Sequence, residues 1–152
     1  MRHKRGLVVA GVVLAAAVAG LAVVRPFGPP APDPTDAALV ALGRGVYAAH
    51  CASCHGAALE GQPNWRERRP DGMLPAPPHD VSGHTWHHGD AQLLGMVRDG
   101  LTPFAPPGYQ SEMPAFKGTL SEREIAAVVA YIKSTWPAEA RERQARTSAQ
   151  QR

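Results

Sequence analysis

The stretch Cys51-Ala52-Ser53-Cys54-His55 brings two thiols and an imidazole into five consecutive residues. Two cysteines three positions apart lie on nearly the same side of a helical turn, so each thiol can add to one vinyl group of a haem. His55 can then offer a neutral ring nitrogen to the iron, provided that a carbonyl holds its other nitrogen. This pattern predicts covalent attachment of haem at this stretch.

Two other chemistries use a pair of cysteines at this spacing. A thioredoxin-like redox pair needs a strand–helix–strand pattern around it, and the sequence shows none. A zinc site needs further ligands, but Cys51 and Cys54 are the only cysteines, so histidines would have to complete it. Haem attachment is favoured over both because the histidine follows the second cysteine directly.

The sequence on both sides of this stretch resembles the monohaem c-type cytochromes of class I. A glycine eight residues before the first cysteine and an aromatic residue four before it are typical of the family's first helix, and Gly43 and Tyr47 match them. In the family's last helix an aliphatic and an aromatic residue three apart meet that pair, and Val128 and Tyr131 match here. The resemblance covers about residues 35–136 and implies an all-α cytochrome c fold, with short helices and long loops wrapped around one covalent haem c.

The resemblance also implies the axial ligands of the haem iron. His55 would bind on one side, and Met113, which is followed by Pro114, matches the family's distal methionine on the other. His79 and His88 are the alternatives for that distal position. With His55 and Met113 in the two axial positions, the iron has no open coordination site, so the chain is predicted to be an electron carrier rather than an enzyme.

Further contacts to the haem are expected from the loop that follows the motif. In the family a proline carbonyl accepts the ring N–H of the axial histidine. Pro75, Pro77 and Pro78 are all candidates; the sequence does not choose among them, and Pro77 stands as the predicted contact. Trp86 could pack on the haem edge and donate its indole N–H to a propionate.

The segment around Trp86 is rich in histidine. His84, His87 and His88, together with His79, could bind copper or zinc, since imidazole suits both metals. The alternative is that one histidine orders the loop or caps the next helix while the others are solvated. Copper binding by His84, His87 and His88 is therefore an alternative function.

Charge is distributed unevenly along the chain. The formal net charge is +3, but residues 33–136 hold eight Lys or Arg against eleven Asp or Glu. The basic excess lies at the two ends, so the folded part has no basic face of the kind that binds nucleic acid.

The N-terminal residues 1–25 are predicted to be a membrane anchor. A cationic start, Arg2 to Arg5, precedes nineteen apolar residues from Gly6 to Val24. At about 1.5 Å per residue these reach roughly 28 Å, close to a bilayer's hydrocarbon thickness of about 30 Å. Ala17-Val18-Ala19 would suit a signal peptidase instead, but the run exceeds the usual core of a signal peptide. The positive end should stay cytoplasmic, which places the haem domain on the periplasmic side of the cytoplasmic membrane.

Local signals divide the rest of the chain. Residues 26–34 contain five prolines and are predicted to be an extended linker. Within the domain at 35–136, a first helix should begin at Thr35 or Asp36, a second should run from Ala91 to Asp99 with Asp90 as its cap, and a last should begin at the capping box of Ser121 and Glu124. Residues 137–152 are charged without an apolar face and are predicted to be a disordered tail.

Together these features predict a membrane-tethered carrier that shuttles single electrons in a respiratory chain. Its expected partners are a quinol-oxidising complex on one side and a terminal oxidase or periplasmic enzyme on the other. A fixed haem subunit of a larger oxidase or dehydrogenase complex is the alternative that keeps the same chemistry.

Overall fold

The computed structural model describes residues 30–151. They form five α-helices, namely α1 (Ala37–His50), α2 (Ala52–His55), α3 (Asp90–Asp99), α4 (Glu122–Ser134) and α5 (Ala138–Gln150), with 3-10 turns at Thr85–His87 and Thr102–Phe104. These residues contain no strand, only an isolated bridge between Lys117 and Leu120. The prediction of a helical fold is confirmed.

The predicted membrane anchor at residues 1–25 lies outside the described residues, as does the first part of the linker. Within residues 30–151, none of the helices combines the length and the apolar character needed to cross a bilayer.

Helix α1 begins at Ala37, just after the predicted start at Thr35 or Asp36, because Asp36 caps it. The Asp36 carboxylate accepts the backbone N–H groups of Ala38 and Leu39, each at 3.0 Å. Helix α1 crosses α4 at Gly43, where a Cβ atom would overlap the carbonyl oxygen of Ala127. The glycine is therefore required for the close approach of the two helices.

Aromatic and aliphatic side chains fill the crossing. The rings of Tyr47 and Tyr131 lie 5.4 Å apart between centroids. Val128 is fully buried in the same hydrophobic cluster as Tyr47. The helix-crossing residues suggested by the family resemblance thus meet in the structure.

Helices α3 and α4 run antiparallel and are joined by an ion pair at each end. Lys133 Nζ lies 2.7 Å from Asp90 Oδ1, and Arg98 binds the Glu122 carboxylate through two nitrogens, at 2.6 and 2.8 Å. Asp90 is the first residue of α3 rather than its cap, a position that Gly89 occupies. Its carboxylate is free to bind Lys133 because it does not cap the helix.

The C-terminal residues differ from the prediction of a disordered tail. They form helix α5, which packs against α3 and the turn at Thr85–His87. Its buried face consists of Ala140, Gln144 and Ser148. Sequence periodicity does not reveal this face because two of its three residues are polar. Hydrogen bonds of Gln144 and Ser148 hold it in place together with Ala140, which packs into the hydrophobic core.

Candidate functional site

The two cysteines lie at the junction of α1 and α2. Cys51 ends α1, and the backbone N–H groups of Cys54 and His55 both donate to its carbonyl, at 3.1 and 2.9 Å. Both thiols are free; Cys51 is partly buried and Cys54 is exposed. Burial, with a smaller effect of Cys54, raises the pKa of the Cys51 thiol to about 11. The turn thus presents two reduced thiols on one short helical segment.

His55 is buried and held in one tautomer by a carbonyl from the following loop. Its Nδ1 lies 2.8 Å from the carbonyl oxygen of Pro77, so Nδ1 carries the proton and donates it. The structure thereby selects Pro77 from the three candidate prolines. Burial lowers the pKa of His55, an effect that the hydrogen bond to Pro77 partly opposes. A neutral imidazole in this tautomer has its lone pair on Nε2, where a metal can bind.

The helix crossing is connected to this turn through Tyr47. Its hydroxyl donates to the carbonyl of Gly56 at 2.8 Å, with the carbonyl of His55 at 3.3 Å. Burial is the main reason that the pKa of Tyr47 lies well above its ordinary value, so the hydroxyl keeps its proton. The packing of α1 on α4 therefore fixes the backbone that carries His55.

Met113 lies in the irregular chain between the second 3-10 turn and α4. Its side chain is partly buried and packs against the same hydrophobic cluster that Cys51 contacts. The preceding residue, Glu112, pairs with Arg69 at 2.6 Å, and the Met113 backbone N–H donates to Ser111 Oγ at 3.0 Å. One loop distant in sequence, through Arg69, and a local turn at Ser111 thus hold the segment that carries the thioether.

Trp86 has a protein partner for its indole N–H, which donates to the carbonyl of Val81 at 3.3 Å. Its ring stacks on His87, with centroids 3.8 Å apart, and Arg143 of α5 lies 5.1 Å from the ring centroid. The predicted contact between Trp86 and a haem propionate stays a prediction.

The three histidines predicted as a copper site do not converge as a set, although the rings of His84 and His88 lie edge to face, 5.5 Å apart between centroids. His84 stacks on Trp65, His87 stacks on Trp86, and Nδ1 of His88 lies 3.1 Å from a side-chain oxygen of α3. Among residues 30–151, no group of three or more His, Cys, Asp or Glu side chains is placed to hold a metal ion. The described residues therefore offer the copper-binding alternative no set of three ligands, because aromatic rings hold two of the imidazoles.

His79 is the residue whose position the sequence did not reveal. Its ring is half-buried and stacks on that of His55, with centroids 4.0 Å apart and 25° between the planes. Burial is the main cause that holds the pKa of His79 well below its ordinary value. Two axial ligands lie on opposite faces of a haem, whereas these two rings touch each other. His79 thus lies beside His55 rather than across an iron from it.

Most of this chain is similar in sequence to known proteins. The family model of cytochrome c matches residues 40–136, more than half of the chain. The chain is also 34% identical over 120 residues to cytochrome c6 of Picosynechococcus sp., an alignment that covers 79% of this chain and 90% of the relative. No solved structure matches it. The family match begins within α1 and ends at Trp136, so helix α5 lies beyond it.

Proposed function

Because this chain belongs to the cytochrome c family, we propose that it carries single electrons on the extracytoplasmic side of a membrane through a haem bound axially by His55 and Met113. The family consists of haem-based electron carriers, so the chain is an electron carrier, not an enzyme, and binds one haem c covalently. The axial pair, the location and the redox partners are the parts that we propose.

The side chains present suit this cofactor. Cys51 and Cys54 are unpaired thiols at the spacing that thioether attachment requires. Imidazole and thioether together are the axial pair of cytochromes c. The observation that carries the proposal is the 2.8 Å hydrogen bond from His55 Nδ1 to Pro77, since it leaves Nε2 as the only ring nitrogen free to bind iron.

The protein holds the two side chains that would bind the iron and limits the access of water to them. Haem c, when bound, supplies an iron that changes its charge by one electron. The buried His55 is kept neutral and oriented by Pro77, and the partly buried Met113 is anchored through its neighbours Glu112 and Ser111. A methionine ligand raises the reduction potential relative to two histidines, which suits a carrier that accepts electrons from a quinol-oxidising complex.

The N-terminal sequence supports the proposed location. Residues 1–25 combine a cationic start with a long apolar run, the pattern of a single-pass anchor whose positive end stays in the cytoplasm. This orientation would tether the haem domain on the periplasmic side of the cytoplasmic membrane. There it would pass electrons to a terminal oxidase or a periplasmic enzyme of a respiratory chain.

The proposed axial pair is tested by replacing the methionine. The oxidised, haem-loaded protein should show the weak band at the red end of the visible spectrum that a methionine–iron(III) bond gives, and Met113→Ala should abolish it. Met96→Ala is the matched control, because Met96 is also a partly buried methionine but lies within α3, and it should keep the band. A wild-type protein without the band would mean that another group holds the sixth position, and the proposed ligation would then fail.

A further inference from the structure

We propose that His79 is a positioning residue that fixes the plane of the His55 imidazole. This inference rests on the proposed function, in which His55 binds the haem iron. The hydrogen bond to Pro77 sets the direction of Nδ1, but one hydrogen bond leaves the ring free to tilt about it. The stacked ring of His79, whose centroid lies 4.0 Å from that of His55, covers one face of His55 and removes that freedom.

His79 can act in this way because it is itself held at several points. Its Nδ1 lies 2.8 Å from Thr85 Oγ1, and Thr85 is buried. Its backbone N–H donates to the carbonyl of Leu59 at 2.8 Å, and its carbonyl accepts the indole N–H of Trp136 at 2.7 Å. A histidine held through its backbone and through Nδ1 of its ring is a rigid surface for the ring stacked on it.

Both contacts to the His55 ring come from one short segment of the chain. Pro77 and His79 are separated by a single residue, Pro78, so one short, proline-stiffened segment supplies both the hydrogen bond and the stacked ring. Groups that contact a metal-bound imidazole without touching the metal orient its ring, and exclusion of solvent around a haem raises its reduction potential. His79 would therefore set the ring orientation and keep water away from His55.

Three variants test the two contacts of His79 on which this role depends, the stacked face and the hydrogen bond to Thr85. His79→Phe keeps an aromatic face against His55 but loses the hydrogen bond to Thr85. His79→Ala removes the face. Thr85→Val keeps the shape of residue 85 but removes the hydrogen bond to Nδ1 of His79. The readouts are the spread of the haem methyl proton shifts in the oxidised protein, which reports the plane of the axial imidazole, and the reduction potential.

We expect His79→Ala to change the spread of the methyl shifts and to lower the reduction potential, because water can enter beside His55. His79→Phe should bring the spread only part of the way back to that of the wild type, because it restores the aromatic face but not the hydrogen bond to Thr85. If the Ala variant matches the wild type in both readouts, or if the Phe variant changes the spread as much as Ala does, the proposal is overturned.

If His79→Ala fails to take up haem, Thr85→Val decides the question. It should shift the spread in part, since His79 loses one of its anchors, and an unchanged spread would overturn the proposal. Failure of the underlying function has a separate signature: if His55 is not the ligand, His55→Ala will keep the wild-type absorption spectrum.

Discussion

At the scale of single residues, two glycines of α1 differ in what faces them. Gly43 is buried against α4, where a Cβ atom would overlap the Ala127 carbonyl and lie 2.9 Å from Tyr131 Cβ. Gly45, two positions later, is exposed and has nothing within 4 Å of such an atom. The helix therefore needs glycine at one position and merely tolerates it at the other.

We expect Gly43→Ala to destabilise the haem-loaded protein by about 1–3 kcal/mol, the usual cost of overpacking. Gly45→Ala should instead stabilise it by about 0.5–1 kcal/mol, because alanine loses less backbone entropy in a helix. Denaturant unfolding followed by far-ultraviolet circular dichroism measures both. Equal effects of the two substitutions would show that α1 and α4 do not approach as closely as described.

At the scale of helices, the two ion pairs between α3 and α4 differ in burial. The Lys133 side chain is 8% exposed and that of Asp90 30%, whereas Glu122 is 49% exposed. The carboxylate of Asp90 also accepts a hydrogen bond from Gln144 Nε2 at 2.7 Å. The Asp90 end of the pair therefore ties three helices together.

Removal of Asp90 leaves a buried ammonium group without its partner. We expect Asp90→Ala to lower the free energy of unfolding by about 2–3 kcal/mol, less than for a fully buried pair because Asp90 is partly exposed. Glu122→Ala, the control at the solvent-exposed pair, should cost about 1 kcal/mol or less. Thermal or denaturant unfolding compares the two variants, and a larger loss in the Glu122 variant would contradict the interpretation.

The buried amide of Gln144 helps to hold helix α5 against the rest of the domain. The Gln144 side chain is fully buried, and its Nε2 lies within 3.2 Å of the His88 carbonyl, of Asp90 Oδ1 and of Ser148 Oγ. A buried amide with three such neighbours keeps the helix in one register. The helix thereby covers the start of α3 and the turn that carries Trp86.

At the scale of the whole molecule, α5 is an addition to the span that matches the family. We expect a chain ending at Pro137 to keep the haem absorption spectrum, since His55 and Met113 lie outside α5. Its free energy of unfolding should fall by roughly 2 kcal/mol, on the basis of about 1 kcal/mol for each of the two N–H groups of the Gln144 amide. Gln144→Ala in the full chain should reproduce part of the loss. A shortened chain as stable as the full one would show that α5 does not dock.

The acid stability of the molecule depends on carboxylates at helix starts. Hydrogen bonds from Arg98 hold the pKa of Glu122 below its usual 4.5, and the hydrogen bond from the Ser121 side chain does the same for Glu124. A carboxylate whose pKa is lower in the folded state contributes stability that is present above pH 4.5 and is lost as pH falls through the lowered value.

We therefore expect the free energy of unfolding to fall as the pH drops below 4.5, and to fall less steeply in Glu124→Gln. The glutamine can still accept the Ser121 hydrogen bonds but does not titrate. Glu142→Gln, on an exposed part of α5, serves as the control and should leave the slope unchanged. Denaturant unfolding at a series of pH values measures the slope, and equal slopes in the wild type and the Glu124 variant would contradict this explanation.

The sequence by itself determined the features that depend on neighbours along the chain. The spacing of Cys51, Cys54 and His55 indicated the haem site, and Asp36 and the Ser121 capping box marked two helix starts. Each of these signals lies within a few residues, where covalent geometry limits the possible structures. The glycine at the helix crossing was indicated by the family resemblance, through its position eight residues before Cys51.

The tertiary structure alone decided what depends on residues distant in the chain. Pro77 was one of three possible carbonyls until the loop was placed against His55, and the stacking of His79 and the docking of Gln144 could not be read from periodicity. The histidines around Trp86 looked like metal ligands in the sequence, yet aromatic neighbours turn two of them apart. Hydrogen bonds and ring stacking are short-ranged and directional, so their partners are set only when the chain has folded.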